Sequence, residues 1–182
     1  MKVSATALPH VLLIEPAVHE DARGFFFECW HAGRYAAAGI EGRFVQDNYS
    51  HSVRGTLRGL HYQLQHPQGK LVQVLRGEIF DVAVDLRQSS PTCGRWTAEV
   101  LSDLNRRQLW VPPGFAHGFY VLSESADVIY KCTEFYVPED EQVLRWDDPE
   151  LAIAWPLADG VRPLLSPRDA AATSLGEAAI YR

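Results

Sequence analysis

Cysteine is scarce and unpaired in this sequence: Cys29, Cys93 and Cys132 form an odd set with no CxxC spacing among them. A disulfide framework needs an even set and a thiolate zinc site needs closely spaced ligands, so neither organises the chain. Free thiols in the cytoplasm are the expectation. No apolar run approaches the roughly 20 residues of a membrane span, and no basic stretch followed by an apolar one opens the chain as a signal peptide would. Positive charge is also short, with 17 Lys and Arg against 23 Asp and Glu for a formal net charge of −6. That balance excludes a general nucleic-acid binder, which presents a basic surface. An anionic ligand must instead be held by local arginines against the background field. GxSxG, Walker A, GxGxxG and HExxH are all missing, which removes the common hydrolase, phosphate-loop, dinucleotide and zinc-protease readings.

What is present is β-rich. The 182 residues, 47% hydrophobic and 22% charged, suit one soluble domain spanning 1–182. Short strand-like runs separated by turn residues continue to about residue 146. They include "HVLLIEPAVH" broken at Pro16, "RGFFFECW" as an edge strand, "RFVQDNYSHS" and "GTLRGLHYQL". "LVQVLRGEIFDVAVDLR" is expected as a hairpin turning at Arg76, Gly77 and Glu78, with Phe80, Val82, Val84 and Leu86 on one face. "HAGRYAAAGI" is the best helical stretch of the N-terminal half and is ended by Gly39. The tail from Leu164 reads as loop or short helix. Many short strands with little helix between them predict an antiparallel sandwich or barrel. In "DVIYKCTEFYV" the alternation puts Val128, Tyr130, Cys132, Glu134 and Tyr136 on one face, which points to a polar cavity.

Gly55 with His61, and "PPGFAH" at 112–117, resemble the two halves of a cupin motif. A metal-binding cupin carries a second histidine two places after the first and an acidic ligand soon after. Here position 63 is Gln and no acid follows until Glu78, so no metal is expected. The fold this implies is all-β, a cupin-type antiparallel jelly roll with a few short peripheral helices.

Ten blocks follow one another from about residue 3 to about 170. They are "DARGFFFE" (21–28), "FVQDNYS" (44–50), "LRGLHYQ" (57–63), "QGKLVQV" (68–74), "GEIFDVAVDLR" (77–87), "SPTCGRW" (90–96), "PPGFAHGFYVLSE" (112–124), "YKCTEFYVPEDE" (130–141), "WDDPELAIAWP" (146–156) and "LLSPRD" (164–169). In this order they resemble the dTDP-4-dehydrorhamnose 3,5-epimerases. The resemblance implies that His61 is the general base, oriented by Asp169, with Tyr130 as general acid and Lys70 near the enolate oxygen. It further implies substrate contacts from Arg23, Phe26, Glu28, Gln46, Asp47, Asn48, Arg58, His117, Tyr136, Glu141 and Arg168. No cofactor is implied. The implied assembly is a homodimer in which strand exchange carries "RGFFFE" into the partner's site. Two positions depart from the usual pattern. Arg168 stands where Lys is commoner, and Phe135 where Tyr or Trp is often seen.

The residue types suit the implied chemistry. A carbon beside a ketone is weakly acidic, so its deprotonation needs a base poised near neutral pH, and histidine held by a carboxylate is such a base. An ammonium stabilises the enolate oxygen in a water-poor site. Inversion needs a donor on the opposite face of the ring, and a diphosphate needs cations such as Arg23 and Arg58. Arg58 and His61 have opposite strand parity, so Gly59 is expected to form a bulge that lets both face the cavity. The alternatives are an epimerase acting at C3 or C5 alone, a metal-dependent cupin, and a non-catalytic sugar-binding cupin.

Overall fold

Alternating burial along short segments builds two facing antiparallel sheets. The computed structural model describes residues 1–158 and 160–182. In chain order the strands are β1 (Lys2–Ala5), β2 (Leu12–Glu15), β3 (Val18–Asp21), β4 (Gly24–Phe27), β5 (Gln46–Val53), β6 (Leu57–Gln63) and β7 (Lys70–Arg76). They continue as β8 (Glu78–Asp85), β9 (Trp96–Ser102), β10 (Gln108–Val111), β11 (Phe115–Val121), β12 (Ser125–Cys132) and β13 (Glu141–Val143). One sheet has the order β1-β2-β10-β7-β12-β5 and the other β13-β6-β11-β8-β9, while β3 and β4 pair as a separate hairpin. The only α-helices among the described residues are α1 (Ala32–Ala37) and α2 (Pro167–Ala170), with one 3₁₀ turn at Leu175–Glu177. No helix there is long and apolar enough to cross a membrane. The all-β jelly-roll expectation holds.

Three apolar clusters fix this arrangement. Between the sheets lie Val72, Val74, Ile79, Ala83, Leu109, Val111, Phe119 and Val128, all buried. Each of the Val, Ile, Leu and Phe side chains among them contributes ~1.5–3 kcal/mol when removed from water. The outer face of the five-stranded sheet is closed by the C-terminal segment: Leu57, Leu60, Tyr62, Val82 and Val84 pack with Leu144, Leu151, Trp155, Ile180 and Tyr181. The other outer face carries Ile14, Leu71 and Trp110, covered by Tyr35 of α1. Helix α1 is where the sequence placed it. The His31 ring nitrogen accepts from the Arg34 N–H at its start, and Gly39 at φ +86° ends it.

Two expectations of local structure are corrected. First, β7 and β8 are not a hairpin. β7 pairs with β10 and β12, and β8 pairs with β11 and β9, so at Gly77 the chain passes from one sheet to the other. A single intervening residue at φ +80° is too short to fold two strands onto each other. The assignment of Phe80, Val82, Val84 and Leu86 to one face survives this change. Second, β12 ends at Cys132 rather than running on to Tyr136. Thr133 N–H still bonds to the Gly69 carbonyl, but beyond it side chains hold the backbone, as the Glu134 carbonyl accepts from Gln68 Nε2 and Tyr136 N–H bonds to Gln46 Oε1.

The expected bulge is present. Across β11 and β6, His117 faces His61, but Phe119 faces Arg58, so one more residue is used on β6 than on β11. Gly59 takes up the excess at φ +117°. The two backbones then touch: a Cβ on Gly59 would lie 2.6 Å from Gly118 Cα, and one on Gly118 would lie 2.6 Å from the Arg58 carbonyl oxygen.

Candidate active site

The space between the sheets opens at one end into a cavity of about 280 Å³. From the six-stranded sheet it receives Gln46, Asn48 and Ser50 of β5, Lys70 of β7 and Tyr130 of β12. From the five-stranded sheet come Arg58 and His61 of β6, His117, Gly118 and Phe119 of β11, and Glu141 of β13. Gln68 and Tyr136 complete the wall. His61 and Tyr130 thus stand on opposing sheets.

Behind His61 is Asp169, only 4% exposed. Its Oδ1 lies 2.6 Å from His61 Nε2, and its Oδ2 accepts from Ser166 Oγ–H at 2.8 Å. Burial alone would raise the Asp169 carboxyl. The hydrogen bond and charge of His61, with the bonds from Ser166 and the Gly59 N–H, outweigh it and hold the group below the usual carboxylate range. Pro167 and the Ser166 cap start α2, the short helix that delivers this acid to the dyad. The contact with Asp169 favours the tautomer with its proton on Nε2, in which Nδ1 carries the free lone pair.

Lys70 opens β7 and is buried, with Nζ donating to the His61 carbonyl at 3.4 Å. Burial pushes its ammonium down, against the pull of Cys132, Glu141 and Asp81. Burial pushes the Tyr130 phenol up, with Cys132, Glu141 and Tyr136 adding and Arg58 opposing. A phenol in that state keeps its proton at neutral pH and can deliver it. Arg58 sits at the exposed end, its Nε donating to Ser52 Oγ at 2.9 Å.

At the rim, Arg168 of α2 donates to Tyr136 Oη at 3.2 Å and pairs with Glu141, whose Oε2 accepts from Tyr136 at 3.1 Å. Arg168 therefore braces two wall residues without lining the cavity itself. Asp47 is not brought in either. The pleat that turns Gln46 and Asn48 inward turns Asp47 outward, where it pairs with Lys131 at 2.8 Å. Glu134, grouped with Tyr130 by alternation, is also outside the wall because the strand stops before it. Arg23, Phe26 and Glu28 lie on and after the β3–β4 hairpin, away from this chain's own cavity. Arg23 pairs with Asp21 at 2.6 Å, Phe26 is 71% exposed, and Glu28 pairs with Arg34.

Reading the sequence missed Asp81. This fully buried acid places Oδ1 2.5 Å from His117 Nε2, while its Oδ2 has no partner among the described residues. Its signal was there: in β8 it shares a face with Ile79 and Ala83, which belong to the core between the sheets. Gln68, Ser50 and Phe119 were missed as wall residues. No three His, Cys, Asp or Glu side chains among the described residues are grouped to hold a metal ion.

Two facing antiparallel sheets with polar groups in their open end define a cupin-like jelly roll, with the His61–Asp169 pair and the Tyr130 phenol on opposing walls of its interior. The family model described as dTDP-4-dehydrorhamnose 3,5-epimerase matches residues 5–177. The dTDP-4-dehydrorhamnose 3,5-epimerase of Pseudomonas aeruginosa is 56% identical over 170 residues, covering 93% of each chain. That of Neisseria gonorrhoeae is 53% identical over 98% of this chain, which spans about half (54%) of that relative's length. A dTDP-6-deoxy-D-glucose-3,5-epimerase from Legionella pneumophila, solved with dTDP-4-keto-L-rhamnose, superposes with a TM-score of 0.96 at 52% identity, covering 100% of this chain and 97% of the other. The chain belongs to the dTDP-4-dehydrorhamnose 3,5-epimerase family.

Proposed function

We propose that this protein is an isomerase that converts dTDP-4-dehydro-6-deoxy-D-glucose to dTDP-4-dehydro-L-rhamnose by inverting C3 and C5. The observation that carries this reading is the placement of the His61–Asp169 pair on one sheet and Tyr130 on the sheet opposite, both lining one cavity. His61 Nδ1 takes the proton from the carbon beside the C4 ketone, and the electron pair moves onto the C4 oxygen as an enolate. Asp169 steadies the imidazolium that results. Lys70, buried in the wall, supplies positive charge for the enolate oxygen. Tyr130 then returns a proton from the opposite face, and the configuration inverts. Acid–base assistance of this kind contributes roughly 10²–10⁴-fold, and electrostatic stabilisation of the enolate supplies the larger remainder. Full-length matches near half identity to double epimerases favour inversion at both carbons over inversion at one.

The diphosphate end needs cations, and within one chain the cavity offers Arg58 at its mouth. Arg23, paired with Asp21 at the tip of an exposed hairpin with Phe25 and Phe26 unburied beside it, is accessible to a second copy. We therefore include in the proposal a homodimer in which this hairpin reaches the partner's cavity, each chain acting as one domain in the cytoplasm.

Deuterium oxide separates the steps. In Tyr130→Phe, His61 still removes the proton, so C3 and C5 should take up deuterium with retained configuration while inversion falls by roughly 10²-fold or more. In His61→Ala both exchange and inversion should vanish. Wild-type inversion by Tyr130→Phe would overturn the assignment of the acid.

A further inference from the structure

Position 63 is where a metal-binding cupin would place its second histidine, and the structure shows what the glutamine there does. Gln63 ends β6, is 2% exposed, and spends its whole amide on backbone. Its Nε2 donates to the Phe135 carbonyl at 3.0 Å and to the His66 carbonyl at 2.8 Å, and its Oε1 accepts from the Val137 N–H at 2.7 Å. Phe135 and Val137 are the two neighbours of Tyr136, so a single side chain grips the backbone on either side of that wall residue. Tyr136 itself gives its N–H to Gln46, and its hydroxyl lies between Glu141 and Arg168.

Outside any strand, residues 134–140 need such anchors, because their backbone groups have no ladder to satisfy them. Gln68 Nε2 donates to the Glu134 carbonyl at 2.9 Å, and Asp140 accepts the Gln65 and His66 N–H groups at 2.9 and 2.8 Å. These flanking bonds fix the ends of the loop; only Gln63 reaches both sides of Tyr136. We propose that Gln63 is a positioning residue for substrate binding, holding Tyr136 in the cavity wall for the nucleotide portion of the ligand. The inference rests on the nucleotide-sugar reading above. On this view β6 uses one face for two tasks, with His61 for proton transfer and Gln63 for the shape of the mouth.

The test uses the intact protein in four forms: wild type, Gln63→Leu, Tyr136→Ala and the double variant. Steady-state kinetics on dTDP-4-dehydro-6-deoxy-D-glucose are read beside calorimetric binding of dTDP alone and thermal melting. Leucine keeps the bulk and removes all three bonds. Gln63→Leu should raise KM and the Kd for dTDP about tenfold, in keeping with the loss of hydrogen bonds that order a loop, with kcat within about twofold. In the Tyr136→Ala background the same change should add less than about twofold, because the side chain it positions is gone. A merely structural glutamine would lower kcat with KM, or multiply its full penalty onto the double variant; either result overturns the proposal, as does an unchanged KM. Should Gln63→Leu melt below the assay temperature, Gln63→Glu replaces it. That variant still accepts from Val137 but cannot donate, and should give a smaller rise in KM; none would again overturn the proposal. A wild type that binds no dTDP and turns over no dTDP-sugar sinks the nucleotide-sugar reading instead, and the two failures are therefore distinct.

Discussion

Replacing Asp169 by asparagine changes one atom of the dyad, and its effect can be worked out from the geometry. The carboxylate is buried, 2.6 Å from His61 Nε2, and does not line the cavity. If the amide oxygen takes the place of Oδ1, the bond to Nε2–H survives but its ionic component is lost. A hydrogen bond to a charged group contributes ~1.5–3 kcal/mol, and at about 1.36 kcal/mol per factor of ten that is a loss of roughly 10- to 150-fold in kcat. If the amide nitrogen turns towards His61 instead, the ring proton moves to Nδ1 and the lone pair facing the cavity disappears, which costs about 10⁴-fold in a comparable dyad. KM should stay within about twofold. Solvent-deuterium wash-in followed by NMR should fall in step with inversion, since proton removal precedes both. Asp169 is held below the usual carboxylate range, so its bonds stabilise the fold above the unfolded-state pKa and are lost as pH falls through the lower folded value. The stability difference between wild type and Asp169→Asn should therefore be full at neutral pH and close in acid. A variant that exchanges deuterium within about threefold of wild type, or whose KM rises at constant kcat, would refute the dyad.

Mixing Arg23→Ala with His61→Ala should restore part of the activity, because a mixed dimer contains one site with the base of one chain and the arginine of the other. Stable heterodimers without recovery would rule out exchange of the hairpin. Gly118→Ala should lower the melting temperature by roughly 3–10 °C, since its Cβ would meet the Arg58 carbonyl at 2.6 Å and overpacking costs about 1–3 kcal/mol; an unshifted melt would show that the bulge yields. Prolonged dialysis against EDTA should leave kcat unchanged, given glutamine at position 63; activity lost together with a stoichiometric metal would contradict this.

Much of the site was legible because β-sheet alternation is local. Gln46 and Asn48 face one way and Asp47 the other by the same pleat that made Tyr130 readable, and applying the pleat strictly would have removed Asp47 from the contacts. The dyad between His61 and Asp169, 108 residues apart, was accessible only through resemblance, since no periodicity links a strand to a four-residue helix near the C-terminus. Pairing partners were the weakest point. "LRGE" has the look of a tight turn, and nothing within it says that each flanking strand already has two neighbours in a different sheet. The end of β12 was missed for a related reason: alternation continues through Thr133 to Tyr136 on paper, while the glutamines that capture this backbone come from residues 46, 63 and 68.

The contact of Gly59 with Gly118 makes the cavity wall bare backbone between the arginine at one end of β6 and the histidine further along it. No side chain separates the two backbones there, so the Cα positions of Arg58 and His61 are tied to β11 through direct main-chain contact. A Cβ at either glycine would have to push the strands apart, and the wall would move with them.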